Sequence, residues 1–420
     1  MMIKRIHFRN KAFTLILLGI LSTITLYAQA NTTTIRIGIL HSLSGAMAVS
    51  GQPLVDAVTL AVSEINANGG LLGKQVEIIV VDGKSNWPLF AKEATHLIKN
   101  EKVSAIFGCW TSSCRKAVKP IVEKLDNLLF YPVQYEGLEE SPNIIYTGAT
   151  PNQQIIPGVS WALKNLGKRL YLIGSDYIFP HAANQIIKDI SKAQKGVILK
   201  EEYISLGSNT FNSQKISQII SDIKKYQPNV ILNTINGNAN HLFFNQLQSA
   251  GIDNIPVISF SISEPELAKI KSAQRNNHYT VWNYFQSIDN EENQHFISQF
   301  KQLYGKESVI GDPMEASYIA IKLWAQAVRE ARSEEPKRVN KSIRRQSLKA
   351  PQGIVSVDPE TRHLWKAVRI GQAQTNGQFK IIWQTKHPIQ PKPFPSYRTK
   401  HQWQKLLKTF SKKTVAEMNK

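Results

Sequence analysis

Cysteine is scarce in this chain of 420 residues: there are two, Cys109 and Cys114, and both fall in one short loop. Two thiols with no histidine in sequence reach are too few ligands for a metal site. An oxidising compartment permits a bridge between them, which would close only a small loop and add little to the fold. Bridged and free thiols fit the sequence equally. Catalytic signatures are also missing. There is no G-x-S-x-G elbow, no H-E-x-x-H, no C-x-x-C and no glycine-rich dinucleotide turn. Gly69-Gly70-Leu71-Leu72-Gly73-Lys74-Gln75 has the look of a phosphate loop. Its spacing is wrong, however, and Gln75 stands where a hydroxyl would bind magnesium, so it reads as a helix-to-strand turn. Neither an enzyme nor a cofactor is expected. Beyond the first thirty residues no apolar run is long enough to span a bilayer.

What is present begins with Lys4, Arg5, Arg9 and Lys11, then an apolar run from Ala12 to Leu26 and the A-x-A signature Ala28-Gln29-Ala30. That order reads as a secretory signal peptide and implies a mature chain from Asn31, exported to a periplasm. Removing the leader lowers the net charge from +20 to +16, since the leader carries four basic and no acidic residues. So basic a chain suggests nucleic acid, but export and the dispersal of the charge argue against it. The clusters at Lys337–Arg345 and from Lys386 onward read as solvated surface.

Strand and helix signals alternate. Ile35–Leu40, Gln75–Val81, Val103–Phe107 and Leu128–Tyr131 read as strands, with helices over Leu54–Asn66, Leu89–Lys99 and Arg115–Lys124 between them. The pattern restarts after Gly148-Ala149-Thr150-Pro151-Asn152, with strands at Arg169–Gly174, Val197–Tyr203, Val230–Thr234, Val257–Phe260 and Tyr279–Asn283. Two late strands, Trp365–Gly371 and Phe379–Trp383, flank an Asn376-Gly377 turn. Such alternation predicts parallel sheets covered on both faces, an α/β class with two Rossmann-like lobes. The final thirty residues are the one candidate for a stretch without structure.

In open parallel sheets ligands sit at the carboxyl ends of the strands. Gly108-Cys109-Trp110-Thr111-Ser112 and Phe130-Tyr131-Pro132-Val133-Gln134-Tyr135-Glu136-Gly137 end two such strands. Thr111-Ser112-Ser113 puts hydroxyls and N–H groups at a helix start, which favours an acceptor such as a carbonyl oxygen. Capping accounts for one of Ser112 and Ser113. Of Tyr131 and Tyr135, one reads as core, and Glu136 reads as a ligand acceptor or the partner of a surface Lys or Arg. Ser175-Asp176-Tyr177-Ile178-Phe179-Pro180 holds the matching place in the second half, with Asn233–Asn238 and Ser261–Glu264 as further loops. Asp176 fits two roles equally: acceptor for ligand N–H groups, or brace of its own loop and helix.

At these loops the chain closely resembles the urea-binding proteins of branched-chain-type ABC transporters and, less closely, bacterial receptors for short aliphatic amides. The two loops above carry the resemblance, with Pro151-Asn152-Gln153-Gln154, Gly174–Pro180, Trp282-Asn283-Tyr284-Phe285-Gln286-Ser287, Asp312-Pro313-Met314-Glu315-Ala316 and His363-Leu364-Trp365-Lys366. It implies a type I periplasmic binding protein: two Rossmann-like lobes with parallel sheets joined by three crossover strands. The implied organisation is a signal peptide over residues 1–30, one lobe from residues 31–149 with 286–353, a second from residues 150–285 with 354–390, and a basic tail over residues 391–420.

It also implies substrate contacts at Trp110, Ser112, Tyr131, Val133, Tyr177 and Phe179, to which Asp176 is added on its own chemistry, with no metal. Trp110, Val133 and Phe179 depart from the amide-receptor pattern and follow the urea type. Asn238 stands where an acid is expected and is not carried over. The implied ligand is urea, or else a short amide, and the implied partner is an ABC permease; a ligand sensor is the second possibility. Ser112, its neighbouring N–H groups or a Tyr hydroxyl would serve the urea oxygen, with Asp176 or amide oxygens on the N–H edges.

Overall fold

Consecutive strands in the first half are separated by helices or a long loop, so they pair in parallel. In the computed structural model, residues 34–206, 210–274 and 277–418 are described, so the expected signal peptide lies outside the described residues. Strands β1 (Ile35–His41), β2 (Val76–Asp82), β3 (Ile106–Gly108), β4 (Leu129–Tyr131) and β5 (Ile144–Tyr146) form a parallel sheet in the order β2-β1-β3-β4-β5. The register sets Ile39 against Val80 and Phe107, and Phe107 against Phe130. Ile35, Ile37, Ile39, Ile106, Phe107 and Phe130 are buried. Strands covered on both faces read as continuous apolar runs for this reason.

The second sheet starts with β6 (Arg169–Ser175), β7 (Val197–Ile204), β8 (Val230–Thr234), β9 (Val257–Ser259) and β10 (His278–Trp282). A small antiparallel sheet of β11 (Ser347–Ala350), β12 (Gly353–Val357) and β13 (Leu364–Trp365) follows. The chain then returns as β14 (Arg369–Ala373) and β15 (Phe379–Gln384), antiparallel on the edge of the second sheet, whose order is β15-β14-β10-β9-β8-β6-β7. The single late strand expected over Trp365–Gly371 is therefore two, belonging to different sheets. The helix expected from Leu54 starts earlier, at Ala48, and accommodates Pro53 in its second turn.

One apolar core joins the first sheet to Tyr284, Phe296, Tyr318, Trp324 and Leu364. Two others cover the faces of the second sheet. Where the chain crosses between sheets, Asn283 Nδ2 donates to the carbonyls of Gln153 (3.2 Å) and Ala367 (2.8 Å), tying three crossing segments together. Asp312 Oδ2 accepts from the backbone N–H groups of Asn283 and Tyr284 at 2.9 and 2.8 Å.

The C-terminal segment is ordered against the second sheet's helices. Trp403, Leu407 and Phe410 lie at helical spacing on the helix Lys400–Met418 and pack into the core beneath the helix Ile178–Ala193. That stripe is a helix signal, and it corrects the reading of the tail as unstructured for the residues described.

Candidate functional site: the facing ends of two parallel sheets

The two loops that carried the sequence argument follow β3 and β4, at the carboxyl end of the first sheet. Gly108 is required there: a Cβ would lie 2.1 Å from the Leu40 carbonyl oxygen of the adjacent strand. Cys109 then takes a left-handed φ of 67° and is bridged to Cys114, with Cα atoms 5.6 Å apart. The even balance between thiols and disulfide is resolved as the disulfide. Thr111 caps the following helix, Ser112–Lys124, by accepting from Cys114 N–H at 3.2 Å. Neither Ser112 nor Ser113 caps, contrary to expectation, because the helix starts three residues before Arg115. That earlier start turns Arg115 inward.

Arg115 is fully buried and organises the corner. Its Nη2 donates to Glu136 Oε1 at 2.9 Å, its Nε to Glu139 Oε1 at 2.9 Å and its Nη1 to Ser112 Oγ at 3.2 Å. The guanidinium lies 4.8 Å from the Tyr131 ring centre and 4.3 Å from that of Tyr135, a cation–π arrangement in a dry setting. Burial opposes the charge, but Glu139 and Glu136 outweigh it and hold Arg115 well above its ordinary value. Burial likewise opposes the Glu139 carboxylate, while Arg115 and Lys116 hold it well below the usual range. Glu136 therefore pairs with a buried arginine rather than a surface cation. Ser112 Oγ donates to Glu136 Oε2 at 2.5 Å. The Tyr131 hydroxyl donates to the Trp110 carbonyl at 2.6 Å, and burial raises its pKa, so it keeps its proton. Tyr131 and Tyr135 are both buried, so the division into one core and one ligand-facing ring does not follow from exposure.

The second sheet presents its own loops to this corner. Trp110 Nε1 donates to Asn236 Oδ1, beyond β8, at 3.3 Å. Gln134 Nε2 donates to the Phe260 carbonyl, beyond β9, at 2.8 Å. Tyr177 and Phe179, at the start of the helix Ile178–Ala193, are buried with ring centres 6.3 Å apart. Tyr131, Glu136 and Arg115 all act electrostatically on the Tyr177 hydroxyl, whose pKa burial raises. Asp176 is the exception among the expected contacts. Its side chain is about one-third exposed and Oδ1 meets His181 Nε2 at 2.6 Å, the loop-bracing role. Val133 is buried next to Gln134.

Sequence reasoning missed Arg115, Glu139, Tyr146 and His363. Tyr146 and His363 stack at 4.1 Å, and His363 Nε2 meets the Tyr135 hydroxyl at 2.5 Å. An arginine five residues past the tryptophan of the loop after β3 was the available signal for Arg115. His363 stands in the motif His363-Leu364-Trp365-Lys366, but nothing local places it at this corner, which it reaches from the far end of the chain. Among the described residues no cluster of His, Cys, Asp and Glu could hold a metal ion.

Residues 35–400 match the model of a family described as periplasmic binding protein domain. The chain belongs to that family. Its α/β architecture of parallel sheets is the type I periplasmic binding protein fold expected from the sequence. Among curated proteins, a limonene hydroxylase of Geobacillus stearothermophilus is 35% identical over 116 residues, 28% of this chain and 21% of that protein. A Leu/Ile/Val-binding protein homolog 7 of Brucella abortus is 34% identical over 89 residues, 21% of this chain and 22% of the relative. This binding protein thus spans about a fifth of the length of these two. A Leu/Ile/Val-binding protein homolog 6 of Brucella suis is 21% identical over 337 residues, 79% of this chain and 85% of the relative.

Among solved structures, a solute-binding protein of an ABC transporter from Rhodopseudomonas palustris, in complex with 3,4-dihydroxybenzoic acid, superposes with a TM-score of 0.77 at 22% identity, covering 85% of this chain and 99% of that one. A branched-chain amino acid binding protein from Streptococcus pneumoniae, in complex with isoleucine, gives 0.72 at 21% identity, covering 86% and 100%. Both likenesses concern the fold.

Proposed function

We propose that this protein is an exported periplasmic receptor that captures urea between the two sheets and delivers it to an ABC transporter permease. The two lobes are built on the two sheets, with Val355, Val357 and Leu364 on the first-sheet core and not in the second lobe, and they hinge at the segments that Asn283 ties together. Trp110, Ser112, Tyr131 and Val133 line one side, Tyr177 and Phe179 the other, and Asp176 holds the second loop in place. The observation that carries the reading is the internal pairing of Arg115 with Glu136 and Glu139. Arg115, Glu136 and Glu139 behind the corner are matched to one another, so none of the three offers a free charge to a benzoate or an amino acid. A buried charge without a partner is costly, so the corner suits a neutral solute. Closure follows if urea binds the closed form more tightly than the open one.

Calorimetric titration of the purified protein with urea, acetamide, formamide, leucine and 4-hydroxybenzoate tests this. At about −1.5 kcal/mol per heavy atom, urea reaches about −6 kcal/mol, a Kd of about tens of micromolar. Saturable urea or short-amide binding supports the reading. Binding of leucine or 4-hydroxybenzoate without urea overturns it.

A further inference from the structure

Around the Trp110–Tyr131 corner, the hydrogens are already given away inside the protein. The Ser112 proton goes to Glu136 Oε2 at 2.5 Å, and the Ser112 oxygen also accepts from Arg115 Nη1 at 3.2 Å. The Tyr131 proton goes to the Trp110 carbonyl, and the indole hydrogen of Trp110 goes to Asn236 Oδ1. A hydroxyl has one proton and two lone pairs. Ser112 therefore retains one lone pair and no proton, and Tyr131 retains lone pairs only.

Gln134 adds an independent sign. Its Nε2 donates to the Phe260 carbonyl, which fixes the orientation of the amide because a carbonyl cannot donate. Its Oε1 is then buried with no partner. A buried acceptor left unmatched costs on the order of a full desolvation penalty, and a donor from outside the protein would relieve it. Ser112, Tyr131 and Gln134 thus offer acceptors and have spent their side-chain donors, so the donors left to a ligand are the Tyr177 and Ser113 hydroxyls and backbone N–H groups.

We propose that Glu136 is a specificity-determining residue: by taking the Ser112 proton it makes the corner a hydrogen-bond acceptor, so the site selects solutes that present N–H donors and rejects carboxylates. This rests on the reading that the facing sheet ends are the binding site. It also reverses the expected role of the Ser112 hydroxyl, which serves the N–H edge of the ligand and not its oxygen. The N–H groups of Ser112 and Ser113, in the first helical turn, have no intrahelical acceptor and are left for that oxygen. A carboxylate has two acceptor oxygens and nothing to donate, and it would meet lone pairs at Ser112 and Tyr131 with Glu136 directly behind.

The test uses three ligands of one shape that differ in hydrogens alone: acetamidinium (donors only), acetamide (both) and acetate (acceptors only), with urea alongside. Each is titrated calorimetrically into the wild-type chain, Ser112→Ala and Glu136→Gln, after thermal denaturation establishes that the variants fold. Wild type is expected to bind acetamidinium and acetamide at least about tenfold more tightly than acetate. Ser112→Ala weakens the N–H donors by about three- to tenfold, the range of one neutral hydrogen bond. In Glu136→Gln the new amide N–H donates to Ser112 and releases the serine proton, so the acetate-to-acetamide affinity ratio rises about tenfold.

Acetate binding to wild type as tightly as acetamidinium overturns the proposal, and that ranking needs no variant. An unchanged ratio in folded Glu136→Gln also overturns it. Urea binding together with either result leaves the urea reading standing alone. Acetamidinium bound in a Ser112-dependent way without urea leaves the polarity standing and removes urea as the ligand. Binding of carboxylates only removes both.

Discussion

Arg398 closes on Asp189 through two parallel hydrogen bonds, Nε to Oδ2 at 2.6 Å and Nη2 to Oδ1 at 2.7 Å. The same C-terminal segment places the Pro393 carbonyl 2.7 Å from Leu138 N–H, two residues past Glu136. One strap thus reaches both the loop after β4 and the helix that begins beside Tyr177. Its anchor is Trp403, fully buried, with Nε1 donating to the Pro395 carbonyl at 2.8 Å. Trp403→Ala is expected to cost about 3–5 kcal/mol, as large-to-small core changes do. Guanidinium denaturation reads the loss; a change under about 1 kcal/mol would show that the strap is not part of the cooperative core.

Tyr177 offers a cleaner probe of the site than its buried neighbours. Among the described residues its hydroxyl has no hydrogen-bond partner, while Tyr131 and Tyr135 are engaged. Tyr177→Phe is therefore expected to leave thermal stability unchanged and to weaken urea by about three- to tenfold. Equal affinity for urea in the variant would place the ligand away from Tyr177.

Three buried histidines predict sensitivity to acid. Burial lowers His41 and His363 to about 3 and His278 to about 4. His278 still meets Ser259 Oγ and the Ala273 carbonyl at 3.0 Å, whereas both ring nitrogens of His41 are buried without a partner. The folded state binds fewer protons than the unfolded chain below about pH 6.5, so this contribution is complete above that value and lost as pH falls. Each group steepens the loss by up to about 1.4 kcal/mol per pH unit. Melting temperature is expected to drop from pH 6.5 to 4.5, and His278→Gln to flatten that drop; an unaltered slope would count against it.

Two carboxyls near the crossing segments act in the opposite direction. Burial raises Glu264 to about 8, with Asp312 adding to the rise against the Gln286 N–H bond. Burial raises Glu315 to about 8 as well, opposed by Lys366 and helped by Asp312. Here the folded state holds protons that the unfolded chain releases above about pH 4.5, so the contribution is full in acid and lost as pH rises through 8. With the histidines, this sets the stability maximum at about pH 6.5. Glu264→Gln is expected to flatten the decline between pH 6.5 and 8, measured by denaturation at several pH values.

The Cys109–Cys114 bridge closes a loop of sequence separation 5. On the chain-entropy account such a loop contributes about 2 kcal/mol. Reduction, or Cys109→Ser with Cys114→Ser, is expected to lower the melting temperature by a few degrees and to weaken ligand binding more than other losses of that size, because Trp110 lies inside the loop. Unchanged urea affinity after reduction would show that the Thr111 cap alone holds Trp110 in place.

Strand positions, but not their order in the sheets, were legible because many strands are β-rich apolar runs ended by a loop; β7, with Lys200, Glu201 and Glu202, is an exception. The sequences after β3 and β4 announced themselves by aromatic and hydroxyl content. The alternatives for Glu136, Ser112 and the cysteine pair were not separable in one dimension. Glu136 meets Arg115 twenty-one residues away, and His363 reaches Tyr135 across 228. The tail was misread because Trp403, Leu407 and Phe410 show helical spacing only once the intervening lysines are discounted.

By itself the sequence determined the class of fold and the aromatic, hydroxyl-rich character of the strand ends proposed to hold the ligand, because periodicity and turn chemistry are local. Tertiary structure alone decided which hydroxyls still have a proton to give and which charges are already matched. Those properties belong to partners brought together by packing, since a hydrogen bond or ion pair is fixed by distances in space that no spacing along the chain encodes.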